Sequence, residues 1–193
     1  MSELSPIKPL VILDRDGVIN EDSDDYIKTV DEWQPISGSI EAIAELSKAG
    51  YKVVVASNQS GLSRGFFDEY TLGQMHEKLH TLVEQAGGSI DGIFLCTHLP
   101  EEDCFCRKPR TGLLEQIENE FDTSVAGAWF IGDSEKDLDC ALAMGCHPIL
   151  VLTGKGLITQ AAINEEKASH CQTYDNLASA TKHILASQEK VTH

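Results

Sequence analysis

The sequence predicts an α/β fold, a three-layer Rossmann-like parallel sheet with helices on both faces. Three observations carry that expectation. Short apolar runs alternate with helical patterns along the 193 residues, as in the strand–helix units of a parallel sheet. The first runs are continuously apolar, the mark of strands buried on both faces. Polar and charged clusters follow directly after the runs, at the strand ends where parallel folds place their chemistry.

Taken in order, the first strand is predicted at Leu10–Asp14 and leads into a polar loop over residues 20–38. "SGSIEAIAELSKAG" (37–50) then reads as a helix, with serines as N-terminal caps and Gly50 as its stop. A strand at Tyr51–Ser57 precedes a helix in "YTLGQMHEKLHTLVEQAGG", which halts at Gly87–Gly88. A strand at Gly92–Cys96 is followed by a loop over 97–110 that holds cysteines, a histidine and prolines. "TGLLEQIENEF" and "SEKDLDCALAMG" are helices on either side of a strand at Trp129–Asp133. A last strand at Ile149–Leu152 and a helix in "TYDNLASATKHILAS" complete the order, with the tail "SQEKVTH" expected to fray. No repeat, linker or composition shift divides the chain, so residues 1–193 are expected to form a single domain.

The formal net charge is −16, from 15 basic and 31 acidic side chains. That disfavours a nucleic-acid partner, which needs a basic surface to replace counterions. Anionic substrates require that a metal and a few placed cations reverse the field locally. No apolar run approaches the roughly 20 residues of a membrane span. "MSELSPIKPL" lacks the apolar region of a signal peptide, so a cytoplasmic protein is expected. Six cysteines in that compartment read as ligands or small core residues rather than disulfides.

The strand ends carry a constellation. Asp14 and Asp16 end the first strand, Ser57 and Asn58 the second, and Asp133 and Asp137 follow the fourth, while Arg107 and Lys108 lie in the loop between the third and fourth. Clustered carboxylates with a hydroxyl and a lysine are the parts that handle phosphate through Mg²⁺. For "DRDG" alone, a capped turn is an equal reading, since Asp and Gly are ordinary turn residues.

"CTHLPEEDCFCRKP" supplies Cys96, His98, Cys104 and Cys106, four soft ligands in two closely spaced pairs. That is the number a closed tetrahedral Zn²⁺ site needs; a redox pair or a chance cluster is the alternative. Cys140, Cys146 and Cys171 have no such neighbours and read as core. "TGKG" (153–156) lacks the full phosphate-loop pattern and reads as a turn. His76 and His80, four apart on a helix without a third ligand, read as surface residues.

Together, "DRDGVIN", "SNQSG", the lysine of "RKP" and "GDSEKD" resemble, in order and over about residues 9–153, the four motifs of the haloacid dehalogenase superfamily of phosphatases. "NQSGLSRG" with the Cys/His loop is similar to a narrower branch of it, the heptose-bisphosphate and histidinol-phosphate phosphatases. That resemblance implies hydrolysis of the 7-phosphate of a heptose 1,7-bisphosphate, which leaves the 1-phosphate for nucleotide activation and lipopolysaccharide assembly. Histidinol phosphate is the alternative substrate.

The resemblance further implies that Asp14 is the nucleophile and Asp16 the general acid and base, with Ser57, the Asn58 amide and Lys108 holding the phosphoryl group. Catalytic Mg²⁺ would take Asp14, Asp133 and the Asp16 carbonyl, with Asp137 supporting Lys108 or the metal. Structural Zn²⁺ would take the Cys/His loop and so aim Lys108. Arg107 would reach the sugar or its second phosphate, and Arg15, Asp22, Gln59 and Arg64 are further candidate contacts. No large cap domain is expected, which leaves an open site shaped by the 20–38 loop, "SGLSRG" and the zinc loop.

The nucleophile must be ionised, and Asp16 must be able to hold a proton, which low polarity or neighbouring carboxylates would favour. A receiver-like domain that keeps its aspartyl-phosphate is the rival outside enzymes, opposed by Asp16. A nucleic-acid end-processing phosphatase is opposed by the acidity. The chain is expected to act as a monomer.

Overall fold

Alternation along the central strands sets the layers. In β1 (Leu10–Leu13), Leu10 and Ile12 face one side of the sheet and Val11 and Leu13 the other, all four buried. The computed structural model describes residues 9–189. Its other strands are β2 (Lys52–Asn58), β3 (Gly92–Cys96), β4 (Trp129–Gly132), β5 (His147–Val151) and β6 (Gln172–Tyr174). They form one six-stranded sheet in the order β3-β2-β1-β4-β5-β6, with every neighbouring pair parallel.

Ile12 packs with Val54, Ala56 and Phe130 under α3 (Gly112–Phe121) and α4 (Glu135–Ala143). Val11 and Leu13 pack with Val53, Val55 and Ile131 under α1 (Ser39–Lys48), α2 (Glu69–Gln85) and α7 (Leu177–Glu189). Ile43 and Leu79 on that face are fully buried, so truncating either to Ala would cost about 2–5 kcal/mol.

The chain runs outward from β1 through β2 to β3, then returns to place β4 on the other side of β1. Directions therefore diverge between β1 and β4, the topological switch point where a crevice opens beyond the carboxyl ends of the strands.

Several expectations change. Helix α1 has no serine cap: Gly38 enters it at φ 81°, and the buried Ser39 hydroxyl instead donates to the Ile19 carbonyl at 2.6 Å. The segment expected to begin the last helix at Thr173 is β6, a three-residue edge strand with no apolar run to announce it. Two short helices, α5 (Gly156–Ala162) and α6 (Glu165–Ser169), fill a stretch for which no element was predicted. In the expected fraying tail, Ser187–Glu189 still belong to α7; residues 190–193, like residues 1–8 of the N-terminal stretch, lie outside the described residues.

The 20–38 loop is more than a polar excursion. Ile27, Trp33 and Ile36 are buried, and Lys78 of α2 donates to the carbonyls of Val30 and Trp33. The loop is thereby tethered beside the crevice. Among the described residues no helix is long and apolar enough to cross a membrane.

Candidate active site

The crevice is a cavity of about 460 Å³ lined by residues from every strand end on which chemistry was expected. Asp14 lies just past β1, its N–H donating to the Ile131 carbonyl at 2.9 Å, which fixes it against β4. Asp133 follows β4, and Asp137 sits in the first turn of α4, where it accepts from the N–H and hydroxyl of Ser134. The carboxylates of Asp14, Asp133 and Asp137 converge within 4.8 Å of one another.

Lys108 reaches into this cluster from the loop after β3. It is 2 % exposed, and its ammonium lies 3.0 Å from Asp14, 2.6 Å from Asp137 and 2.7 Å from the Ala56 carbonyl. Those carboxylates outweigh the burial that opposes its charge and hold its pKa well above the usual lysine range. Its backbone is held on both sides by one amide: the Asn58 side chain accepts from the Lys108 N–H and donates to the Lys108 carbonyl, each at 3.1 Å. Asn58 thus positions the lysine through its side chain.

One cation for three carboxylates is too few. Burial pushes Asp14 up to about 6 despite Lys108. Burial, then the charge of Asp14, pushes Asp133 up to about 8. A hard divalent ion relieves this accumulation, and clustered carboxylate oxygens are the donors magnesium takes. Close packing supports the cluster. A Cβ at Gly17 (φ +82°) would lie 2.0 Å from Asp133 Oδ2, and one at Gly154 would lie 2.2 Å from it. Glycine follows the paired aspartates because the Asp133 carboxylate occupies the space.

Asp16 is the main departure from expectation. Its surroundings favour the charged form, because Arg15 folds back onto it in a two-pronged contact of 3.0 and 3.1 Å and Asn20 and Gln59 donate at 2.8 and 2.6 Å. Burial alone would raise its pKa, but these partners outweigh it and lower it. Arg15, expected at the substrate, is 1 % exposed and does not line the cavity. It backs Asp16 and also donates to Gln59 at 2.9 Å. His76 is half-buried behind Arg15, 3.5 Å from its guanidinium, and not the surface residue expected; burial, then the Arg15 charge, lowers its pKa to about 4.

The remaining candidates divide. Ser57 is buried in the cavity wall and accepts from the Gln59 side chain at 3.0 Å. Arg107 and Asp22 line the cavity, Arg107 donating to the His98 carbonyl at 3.3 Å. Arg64 is exposed in the 60–65 turn and does not line it. "TGKG" is a turn, as expected, and it braces the site residues. The Thr153 hydroxyl donates to the Gly17 carbonyl at 2.6 Å, and the Lys155 N–H donates to Asp133 at 2.8 Å. The Lys155 side chain faces Asp22. A lysine flanked by glycines directly after a strand was the signal available for it.

Cys96, His98, Cys104 and Cys106 meet at one point. The separations are Cys96–Cys104 3.6 Å, Cys96–His98 3.6 Å, His98–Cys106 3.2 Å and Cys104–Cys106 3.8 Å. Edges of a zinc tetrahedron with ordinary Zn–S and Zn–N bonds run about 3.5–3.8 Å; three of these separations fall in that range and His98–Cys106, at 3.2 Å, is shorter, so donor set and spacing are compatible with that ion. None of the six cysteines is in a disulfide. Cys140 and Cys146 are core, as expected, whereas Cys171 is only partly buried.

Comparisons with known proteins agree with this fold. The HAD-hydrolase-like family profile matches residues 105–180. D-glycero-beta-D-manno-heptose-1,7-bisphosphate 7-phosphatase of Neisseria meningitidis is 48% identical over 176 residues, covering 91% of this chain and 94% of that one. The Pseudomonas aeruginosa protein of the same name is 49% identical over 178 residues, covering 92% and 98%. The crystal structure of D,D-heptose 1,7-bisphosphate phosphatase from B. bronchiseptica, complexed with magnesium and phosphate, superposes with a TM-score of 0.88 at 44% identity, covering 93% of this chain and 99% of that one. By sequence and fold, the chain belongs to the HAD-like phosphatases and, within them, to the D-glycero-beta-D-manno-heptose-1,7-bisphosphate 7-phosphatase family.

Proposed function

We propose that the chain hydrolyses the 7-phosphate of D-glycero-beta-D-manno-heptose 1,7-bisphosphate through an aspartyl-phosphate. The observation that carries this is the convergence of Asp14, Asp133, Asp137 and Lys108 at the buried end of a polar cavity. In the first step an Asp14 oxygen attacks phosphorus, the bond from phosphorus to the sugar oxygen breaks, and Asp16 gives the departing oxygen a proton. In the second, Asp16 takes a proton from water, the water oxygen attacks phosphorus, and the bond to Asp14 breaks to release inorganic phosphate. Lys108 and Ser57 hold the equatorial oxygens.

Asp14, Asp133 and the Asp16 carbonyl would hold Mg²⁺, with Asp137 in support through Lys108; the ion supplies positive charge that keeps Asp14 ionised and offsets the phosphoryl charge. In its resting clamp Asp16 is set up as the base. To act as acid it must leave part of the Arg15–Gln59 contact, which raises its proton affinity as it turns to the leaving oxygen.

We assign Cys96, His98, Cys104 and Cys106 to a structural Zn²⁺, since four protein ligands leave no open position. Residues 1–193 act as one domain in this reading, monomeric and cytoplasmic. A phosphate-release panel of heptose bisphosphate, fructose bisphosphate and histidinol phosphate tests it. Heptose bisphosphate should be preferred by at least about tenfold in kcat/KM. Preference for histidinol phosphate, or phosphoprotein that persists without turnover, would overturn it.

A further inference from the structure

We propose that Gln59 is a positioning residue that turns the Ser57 hydroxyl outward as a hydrogen-bond donor to the phosphoryl group, and that the buried Arg15 sets the direction of that bond from behind. The proposal rests on the reading above, in which Ser57 holds the phosphoryl group. Arg15 and Gln59 were both expected to touch the substrate, and their contacts give them a different task. Gln59 directly follows β2, where its N–H donates to the Cys96 carbonyl at 2.7 Å, and its side chain is buried.

A side-chain amide accepts at one end and donates at the other, so its neighbours decide which way it faces. Arg15 can only donate. Its Nη2 lies 2.9 Å from Gln59 Oε1, which fixes the oxygen on the guanidinium side. The nitrogen is thereby turned the other way, where Nε2 donates to Asp16 at 2.6 Å and to Ser57 Oγ at 3.0 Å. The reverse orientation would set N–H against N–H at Arg15 and oxygen against carboxylate at Asp16, leaving buried groups unpaired. Arg15 is held in place, because Asp16 grips its guanidinium at 3.0 and 3.1 Å.

The consequence falls on Ser57. A hydroxyl carries one hydrogen and two lone pairs. Gln59 takes a lone pair, and among the described residues the Ser57 hydroxyl has no acceptor for its hydrogen. Ser57 lines the cavity, so that hydrogen is left for a phosphoryl oxygen. Were the side chain at 59 an acceptor, Ser57 would donate to it and face the phosphate with lone pairs. Both Nε2 hydrogens are engaged, by Asp16 and Ser57, which leaves Gln59 none for a sugar hydroxyl. The bonds from Arg15 to Gln59, Ser57 and phosphate all run in one direction, and bonds so aligned strengthen one another. Arg15 thus bears on the phosphate without lining the cavity.

The test is a double-mutant cycle in the affinity for inorganic phosphate, measured by titration calorimetry with Mg²⁺ present. Wild type, Ser57→Ala, Gln59→Met and the double variant are compared, each checked by circular dichroism. Methionine removes the donor at similar length and adds no charge. Ser57→Ala should weaken phosphate binding about tenfold and Gln59→Met about three- to tenfold, the size of one hydrogen bond. The double variant should bind no more than about twofold more weakly than Ser57→Ala alone, because Gln59 acts through that hydroxyl. A merely structural Gln59 would give losses that multiply, or would leave phosphate affinity unchanged in Gln59→Met. Either result overturns the proposal. If Gln59→Met does not fold, the cycle is read from the isosteric Gln59→Glu, at least about threefold of whose loss should vanish once Ser57 is alanine; a loss that stays whole overturns the proposal. Turnover of heptose 1,7-bisphosphate by wild type is measured in parallel. Phosphate binding without turnover ends the functional reading and leaves the cycle to decide on Gln59, whereas turnover with multiplied losses ends the proposal alone.

Discussion

The floor and the rim of the cavity are held in opposite ways. At the floor, Lys108 is 2 % exposed and makes three contacts between 2.6 and 3.0 Å, to Asp14, Asp137 and a β2 carbonyl. At the rim, Lys155 is half exposed and its ion pairs are 3.4 and 3.9 Å long. Apart from Lys108, which comes from the loop after β3, the floor residues sit on strand ends and a helix first turn, where packed backbone sets their positions. Rim side chains hang from loops. Bond-making needs groups placed to within about 1 Å, whereas recognition of a charged, flexible sugar tolerates movement. The difference predicts that floor substitutions act on turnover and rim substitutions on KM.

The sharpest way to break that division is at the two aspartates after β1. Asp14→Asn should cut phosphate release by on the order of 10⁵-fold or more with the fold intact, because it removes the oxygen that attacks phosphorus in the proposed first step. Asp16→Asn should cost about 10²–10⁴-fold, with any phosphoenzyme decaying slowly. Rapid-quench trapping of labelled protein distinguishes the two. Turnover near wild type in Asp14→Asn, or unchanged decay of phosphoenzyme in Asp16→Asn, would end the assignments.

The Cys/His loop is a middle case, a rim element that carries a floor residue. Lys108 lies two residues beyond Cys106, and the quartet's geometry fits a zinc that would fix the loop. The Asn58 amide grips the Lys108 backbone independently. Cys106→Ser should therefore lower zinc content and cost about tenfold in kcat, less than a lysine left wholly unplaced would cost. Lys108→Ala should cost about 10²–10³-fold, since it removes a charge that meets the phosphoryl group and leaves Asp14 and Asp137 facing each other. In the double variant the losses should combine to less than their product, because both act through one ammonium. Losses that simply multiply would show that the loop does not aim this lysine.

How much of this could be read from the chain follows the same division. The floor was legible because strand ends are announced by apolar runs: Asp14, Ser57, Asp133 and Lys108 were all placed by what precedes or flanks them. The convergence of the Cys/His quartet was legible from spacing. Arg15 was misplaced because sequence gives no direction to a side chain. Its neighbour in sequence, Asp16, is also its partner, so the guanidinium turned inward to a carboxylate. His76 was misjudged for the related reason that a half-buried helix face looks polar when it covers a buried ion pair. Lys155 was passed over because its importance comes from contacts with Asp133 and Asp22, 22 and 133 residues away. β6 escaped because an edge strand of three residues needs no apolar pattern.

The smallest effect concerns protons at the floor. Without metal, Asp14 is raised to about 6 and Asp133 to about 8, both above the ordinary carboxylate value of about 3.8. Between that value and their native ones, the folded protein binds more protons than the unfolded chain, so the slope of unfolding free energy with pH is negative. The stability these groups lend is present in acid and is lost as pH rises towards 8. Metal-free protein should accordingly melt a few degrees lower at pH 8.5 than at pH 5.5, as far as these two groups decide it. Mg²⁺ reverses the sign, because it binds the ionised carboxylates and must displace their protons at low pH. The stabilisation produced by a fixed Mg²⁺ concentration should grow from pH 5.5 to 8.5 and level off above, and apparent Mg²⁺ affinity should follow it. Calorimetry with and without the ion across that range checks both slopes. Asp133→Asn should flatten the metal-free profile and abolish most of the Mg²⁺ response. A Mg²⁺ effect that is constant with pH would mean that these carboxylates are already ionised in the free protein, and that the Lys108 ammonium alone suffices to hold them so.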